Sequence, residues 1–175
     1  MMEVIMDTSS LVSLQIINIL VKSFEIIGVI IPKIVKEELN EISKHKDNEG
    51  KAAKEIIELI NKGNIKTVEI KNRKKVENLL SKDVNYGEAE CFIACIENDI
   101  KTLVMDDIDA AYSLEGLAIA NKIKMKISVA VLIELYREKV IDKSQLKNSI
   151  NSLIKIRQWE SGILEVLAKK YLENI

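Results

Sequence analysis

The side chains of this chain that could do chemistry are carboxylates standing where apolar residues belong. From Ala89 to Ile96 the residues are Ala, Glu, Cys, Phe, Ile, Ala, Cys, Ile, so Glu90 alone interrupts a helical run that is apolar all round. A helix of that kind is buried on most sides. An unpaired carboxylate there costs several kcal/mol or shifts its pKa, so Glu90 needs a cation. Glu38 stands out in the same way, inside an apolar stripe made by Ile34, Val35, Leu39 and Ile42. The plainer account of Glu38 is that it sits at the stripe's edge and reaches solvent. Glu37 and Glu41 point elsewhere. Asp7 and the pair Asp106-Asp107 each end an apolar run and precede a helical pattern. Open parallel α/β sheets place ligands there, although Asp at such a turn is also an ordinary helix N-cap.

Asp7, Glu38, Glu90 and Asp107 converge only if a sheet brings their elements side by side. Two carboxylates about 4 Å apart repel by roughly 4 kcal/mol at an effective dielectric near 20, so such a cluster implies a hard dication. Carboxylates with waters suit Mg²⁺ or Mn²⁺, and the lack of His and Cys partners argues against zinc. The one histidine, His45, falls in a polar loop and reads as solvated. Cys91 and Cys95 lie four apart in the apolar helix and read as reduced core residues. Glu88 has a cheaper account: Asn85 followed three residues later by Glu88 is a capping box, and an acid suits that helix end, with a supporting role at the metal as the alternative.

The elements that must position these acids follow from the pattern of the chain. Short β-like runs alternate with helical ones, as in a parallel sheet with helices on its faces. Strands are expected at 3–6, 26–31, 65–70 (an edge strand, given its charges), 102–105 and 125–128. Helices are expected at 10–23, from Pro32 to about 43, and at 51–61, 74–81, 86–97 and 110–121. Gly63 is a candidate left-handed cap. The last 45 or so residues read as three more helices, 129–139, 144–156 and 160–173. The 175 residues suit one α/β domain, with the main core over 1–130 and a helical extension over 131–175 packed on it. Hydrophobic residues at 47% exclude disorder, and aromatics at 4% leave the core to Ile, Leu, Val and Ala. A net charge of −1 gives no global field for a polyanion, so a nucleic acid would need a local basic rim. Lys71 to Lys75 (KNRKK), or Lys44 with Lys46, could supply one, although such runs are more often plain solvated surface. Apolar stretches are too short to span a membrane, and the N-terminus lacks signal-peptide features, so the expected location is cytoplasmic.

These residues resemble a known family. Strand-Asp-Thr-Ser-Ser-Leu at the start, Ile-Pro-x-x-Val-x-x-Glu-Leu ending at Leu39, Gly-Glu-Ala-Glu-x-x-Ile-Ala at 87–94 and Leu-Val-x-x-Asp at 103–107 look like a PIN domain. The order and spacing cover about the first 130 residues. The Gly-Glu-Ala-Glu form and the tail, with Trp159 followed by Leu164-Glu165-Val166-Leu167, resemble a prokaryotic subgroup related to VapC toxins. The resemblance implies a Rossmann-like fold and Mg²⁺- or Mn²⁺-dependent endoribonuclease chemistry. Asp7, Glu38, Glu90 and Asp107 fit the four family acids, Asp109 an optional fifth, and Ser9 the small hydroxyl residue beside the first. Met105 departs from the pattern, since many members carry Thr there.

The reaction so implied is in-line hydrolysis of an RNA phosphodiester, with Asp7, Glu90 and Asp107 holding the metal and Glu38 as a further ligand or orienter of the nucleophile. Implied partners are an RNA substrate, an antitoxin protein and a second copy in a homodimer. The C-terminal helices offer an amphipathic surface for a partner, and packing on the domain is their plainer account. The rival from another class is a non-catalytic RNA- or protein-binding module on the same fold. A phosphatase would want Asp-x-Asp after the first strand, where this chain has Asp7-Thr8-Ser9.

Overall fold

The computed structural model describes residues 1–173. Five strands, β1 (Met2–Met6), β2 (Ile27–Pro32), β3 (Lys66–Val68), β4 (Thr102–Val104) and β5 (Lys124–Lys126), form one sheet in the order β3-β2-β1-β4-β5. Every pairing is parallel, with Ile5 opposite Ile30 on one side and Leu103 on the other. Val4, Ile5 and Met6 are all buried, as are Val29, Ile30 and Ile31. Successive strand residues point to opposite faces, so both faces of the sheet are covered, which is why these strands read as unbroken apolar runs. β3 sits at the edge, where its Lys and Thr meet solvent.

The helices are α1 (Thr8–Ile16), α2 (Leu20–Ser23), α3 (Lys33–Ile42), α4 (Asn48–Asn61), α5 (Arg73–Glu77), α6 (Tyr86–Glu97), α7 (Ile108–Ala120), α8 (Ser128–Arg137), α9 (Lys143–Ile156) and α10 (Ile163–Glu173). Helix α6 lies across β1, β2 and β4. Ala130 and Val131 of α8 share a small gap with Met2, Val4 and Val104. One apolar core runs from Val4 to Ala168 and takes in Leu146 and Ile150 of α9 and Trp159 between α9 and α10. This is an α/β fold with a central parallel sheet and a C-terminal helical layer.

The elements differ from the sequence pattern mainly at their ends. The single helix expected over 10–23 is two helices, because Asn18 takes φ 57° and Ile19 N–H turns back to Leu14 O. Asn tolerates the left-handed region and ends helices there. α4 begins three residues early because Asp47 caps it, accepting from Gly50 N–H at 2.8 Å. Gly63 has φ 80° and closes the same helix, as its position suggested. Cys91 and Cys95 are buried and unbridged, and burial pushes the Cys95 thiol up to about 12. Among the described residues no helix is long and apolar enough to cross a membrane.

Candidate active site

The sheet order reverses direction between β1 and β4, and the chain leaves both strands there into helices. This is the crevice in which open α/β sheets hold ligands. Asp7 follows β1 and caps α1. Its Oδ1 accepts from Ser10 N–H at 2.8 Å and also contacts the Ser10 hydroxyl; its Oδ2 accepts from the Ser9 hydroxyl at 2.6 Å. The Ser10 Oγ also lies 2.9 Å from Val104 O, and Asp7 N–H donates to the same carbonyl, so β1 and β4 are tied at the mouth. Asp7 therefore caps α1 and lines the cleft at once. Asp107 caps α7 through Ala110 N–H at 2.9 Å and keeps its side chain exposed to the cleft.

Glu38 on α3 receives the Thr8 hydroxyl. Its carboxylate lies so close to Gly87 that any β-carbon there would collide with Oε1 and stand 3.1 Å from Oε2. That close approach explains the glycine in the first turn of α6. Glu88 completes the capping box with Asn85, by bonds of 2.7 and 3.1 Å, and also lines the cleft. A cleft of about 140 Å³ thus collects Asp7, Glu38, Glu88 and Asp107, with Thr8 and Ser9.

Glu90 lies one turn deeper. It is nearly fully buried, pairs through Oε1 with Arg73, and leaves Oε2 buried without a hydrogen-bond partner. Of the four acids singled out from the sequence, Asp7, Glu38 and Asp107 face the cleft directly and Glu90 does not. Among the described residues no three His, Cys, Asp or Glu side chains stand close enough to form a ready metal cage. The local reason is visible: Arg73 draws off Glu90, while Thr8 and the α7 backbone engage Glu38 and Asp107 separately. Asp109 is exposed in the first turn of α7, outside the cleft, and His45 is exposed in its loop.

The electrostatics bind the group together. Burial first, then the charge of Asp106, push Asp7 up to about 7 against hydrogen bonds from Ser10 and Ser9. Burial also raises Glu38, with the Glu90 charge adding to it and the Thr8 hydrogen bond opposing. Glu88 is raised by burial, with Asp107 and Glu38 contributing. The donors are all oxygen, the buried Oε2 of Glu90 lacks a hydrogen-bond partner, and Asp7 resists ionising. Such a set fits a hard divalent cation.

Three residues have parts here that the sequence pattern does not assign. Thr8 was visible only as part of a turn. Arg73 lay within a run read as a general basic rim. Asp106 is buried beside Asp7 and accepts from Ser128 N–H at 2.7 Å, so it anchors the start of α8 rather than facing the cleft.

The family described as DUF3368, a PIN domain, matches residues 3–170. The chain belongs to the PIN-domain family. Membership covers the C-terminal helices as well as the sheet, and it places the chain among nuclease-type domains. No curated protein and no solved structure matches the chain.

Proposed function

We propose that this PIN domain is a Mg²⁺- or Mn²⁺-dependent endoribonuclease. The observation that carries the reading is the cleft at the ends of β1 and β4, where Asp7 is held at about 7 among Glu38, Glu88 and Asp107. Asp7, Asp107 and Glu38 would hold the cation, with the unpartnered Oε2 of Glu90 as a further donor. The cation would supply Lewis-acid chemistry, neutralising the phosphate and acidifying water. Ser9 and Ser10 orient the Asp7 carboxylate, and Thr8 fixes Glu38 to accept a proton from the attacking water. Asp109 adds negative charge at the rim, and Lys71, Lys74 and Lys75 are exposed near Arg73 to meet the RNA backbone.

The VapC-like resemblance adds a toxin role with an antitoxin protein as partner and a homodimer as the working form. Exposed Ile163, Val166 and Tyr171 on α10, with Tyr112 and Ile119 on α7, give apolar area for such contacts. A small DNA-binding protein encoded next to this gene would support the pairing; light scattering of the purified chain would give the copy number. One observation favours the rival binding module: the acids do not form a ready cage. Incubating single-stranded and structured RNA with wild type and Asp7→Asn in Mg²⁺, Mn²⁺ or EDTA separates the two. The nuclease cuts only with metal and loses cutting in the variant; metal-independent or Asp7-independent cleavage overturns it, and no cleavage at all leaves the binding module.

A further inference from the structure

The partner of Glu90 carries an inference that rests on the ribonuclease reading and deepens it. The Glu90 carboxylate is 3% exposed, while its partner Arg73 is 59% exposed. A desolvated carboxylate needs a counter-charge, and here it comes from an arm that stays mostly in water. The guanidinium carries five N–H donors in a planar fork, and Nη1 makes the contact to Glu90. The remaining donors are free to meet a phosphate.

The placing of that arm is built into α6. Glu97 lies seven residues after Glu90, two turns along the same helix face. Its carboxylate accepts Lys71 N–H at 2.9 Å and Asn72 N–H at 2.8 Å. Asn72 then caps α5, accepting from Lys75 N–H at 3.1 Å. The backbone just before Arg73 is therefore pinned to α6, the residues after it are held in α5 by the Asn72 cap, and the side chain remains free to turn. A chance surface pair would not need this clamp.

We propose that Arg73 is a substrate-binding residue that exchanges Glu90 for a phosphate of the RNA backbone when a divalent cation takes up Glu90. The charges dictate the exchange. A cation that engages the unpartnered Oε2 of Glu90 neutralises the charge that holds Arg73 on Oε1 and repels the guanidinium. The released guanidinium is then one positive charge, beside the cleft, matched in shape to phosphate oxygens. Metal and RNA consequently bind with positive coupling through Arg73, each strengthening the other by the same factor.

Arg73→Ala separates this from a buttressing role. Mn²⁺ binding is read from the EPR signal of free Mn²⁺, without RNA. RNA binding is read from the anisotropy of a short fluorescein-labelled single strand in Mn²⁺, in the cold, with the strand checked intact on a gel. The two effects should have opposite signs: Mn²⁺ binds severalfold tighter because its competitor is gone. RNA in Mn²⁺ binds about tenfold weaker or more, with a salt slope lower by about one. In EDTA the RNA affinity should hardly change, because Arg73 then stays on Glu90. Arg73→Lys should recover only part of the RNA affinity, since an ammonium lacks the fork. Weaker Mn²⁺ binding in Arg73→Ala, or unchanged RNA affinity in Mn²⁺, overturns the proposal while leaving the ribonuclease reading in place. A wild type that binds neither Mn²⁺ nor RNA overturns both.

Discussion

Replacing Asp7 by Asn should make the metal-free protein more stable at alkaline pH while removing its function. Burial and the Asp106 charge raise Asp7 from an ordinary 3.8 to about 7 in the folded chain. A carboxyl group whose folded pKa is raised contributes stability that is fully present below about 3.8 and is lost as pH rises through about 7. The whole interval corresponds to about 4 kcal/mol, and the part lost between about pH 5 and pH 8 to roughly 3 kcal/mol. Asn keeps an oxygen for Ser10 N–H and does not titrate. In EDTA its stability advantage over wild type should therefore grow by up to roughly 3 kcal/mol between those pH values, or about 6–12 °C in Tm. Glu38, Glu88 and Asp106 are raised in the same direction and remain in both proteins, so the difference between the two curves reports Asp7 together with its coupling to Asp106. Urea or thermal unfolding in EDTA across that range is the assay. An advantage that stays flat with pH, or shrinks toward pH 8, refutes the claim that Asp7 is a buried acid awaiting a cation.

Two further variants test how the cleft is built. Gly87→Ala places a β-carbon against the Glu38 carboxylate, which must move. Melting should change little because the site is helical, while Mn²⁺ affinity falls about 10- to 100-fold, as for other residues that orient ligands; unchanged Mn²⁺ binding would remove Glu38 from the metal's surroundings. Asn85→Ala removes the N-cap of α6 and one half of the capping box. Chemical denaturation should register a loss of about 1 kcal/mol, and a loss near zero would mean that Glu88 is held by the cleft rather than by the cap.

The parts of the site that follow a period were legible in the sequence. Glu90 and Glu38 broke apolar helical patterns, and Asp7 and Asp107 closed runs that proved to be adjacent strands β1 and β4. The Asn85–Glu88 box was readable because both partners are local. What was not legible depends on contacts between distant segments. Arg73 reaches Glu90 across 17 residues from an exposed basic run with no periodic signal. Asp106 and Asp107 are neighbours of the same type, and only the packing of α8 on the sheet shows that one turns inward to Ser128 and the other to the cleft. The break at Asn18 was hidden because apolar spacing continues across it into α2. For Glu88 the sequence favours capping over a supporting place at the metal, since a capping box does not reveal which side of the helix start opens on a cleft.

The most direct test of the acidic site is a Mn²⁺ titration of wild type, Asp7→Asn and Asp107→Asn at about pH 8, a little above the Asp7 pKa, followed by EPR of the free ion. The account predicts a saturable site in wild type that is weakened by more than about tenfold in each variant, with Mn²⁺ raising the melting temperature of wild type alone. Equal Mn²⁺ binding by all three proteins, or none by wild type, would contradict it.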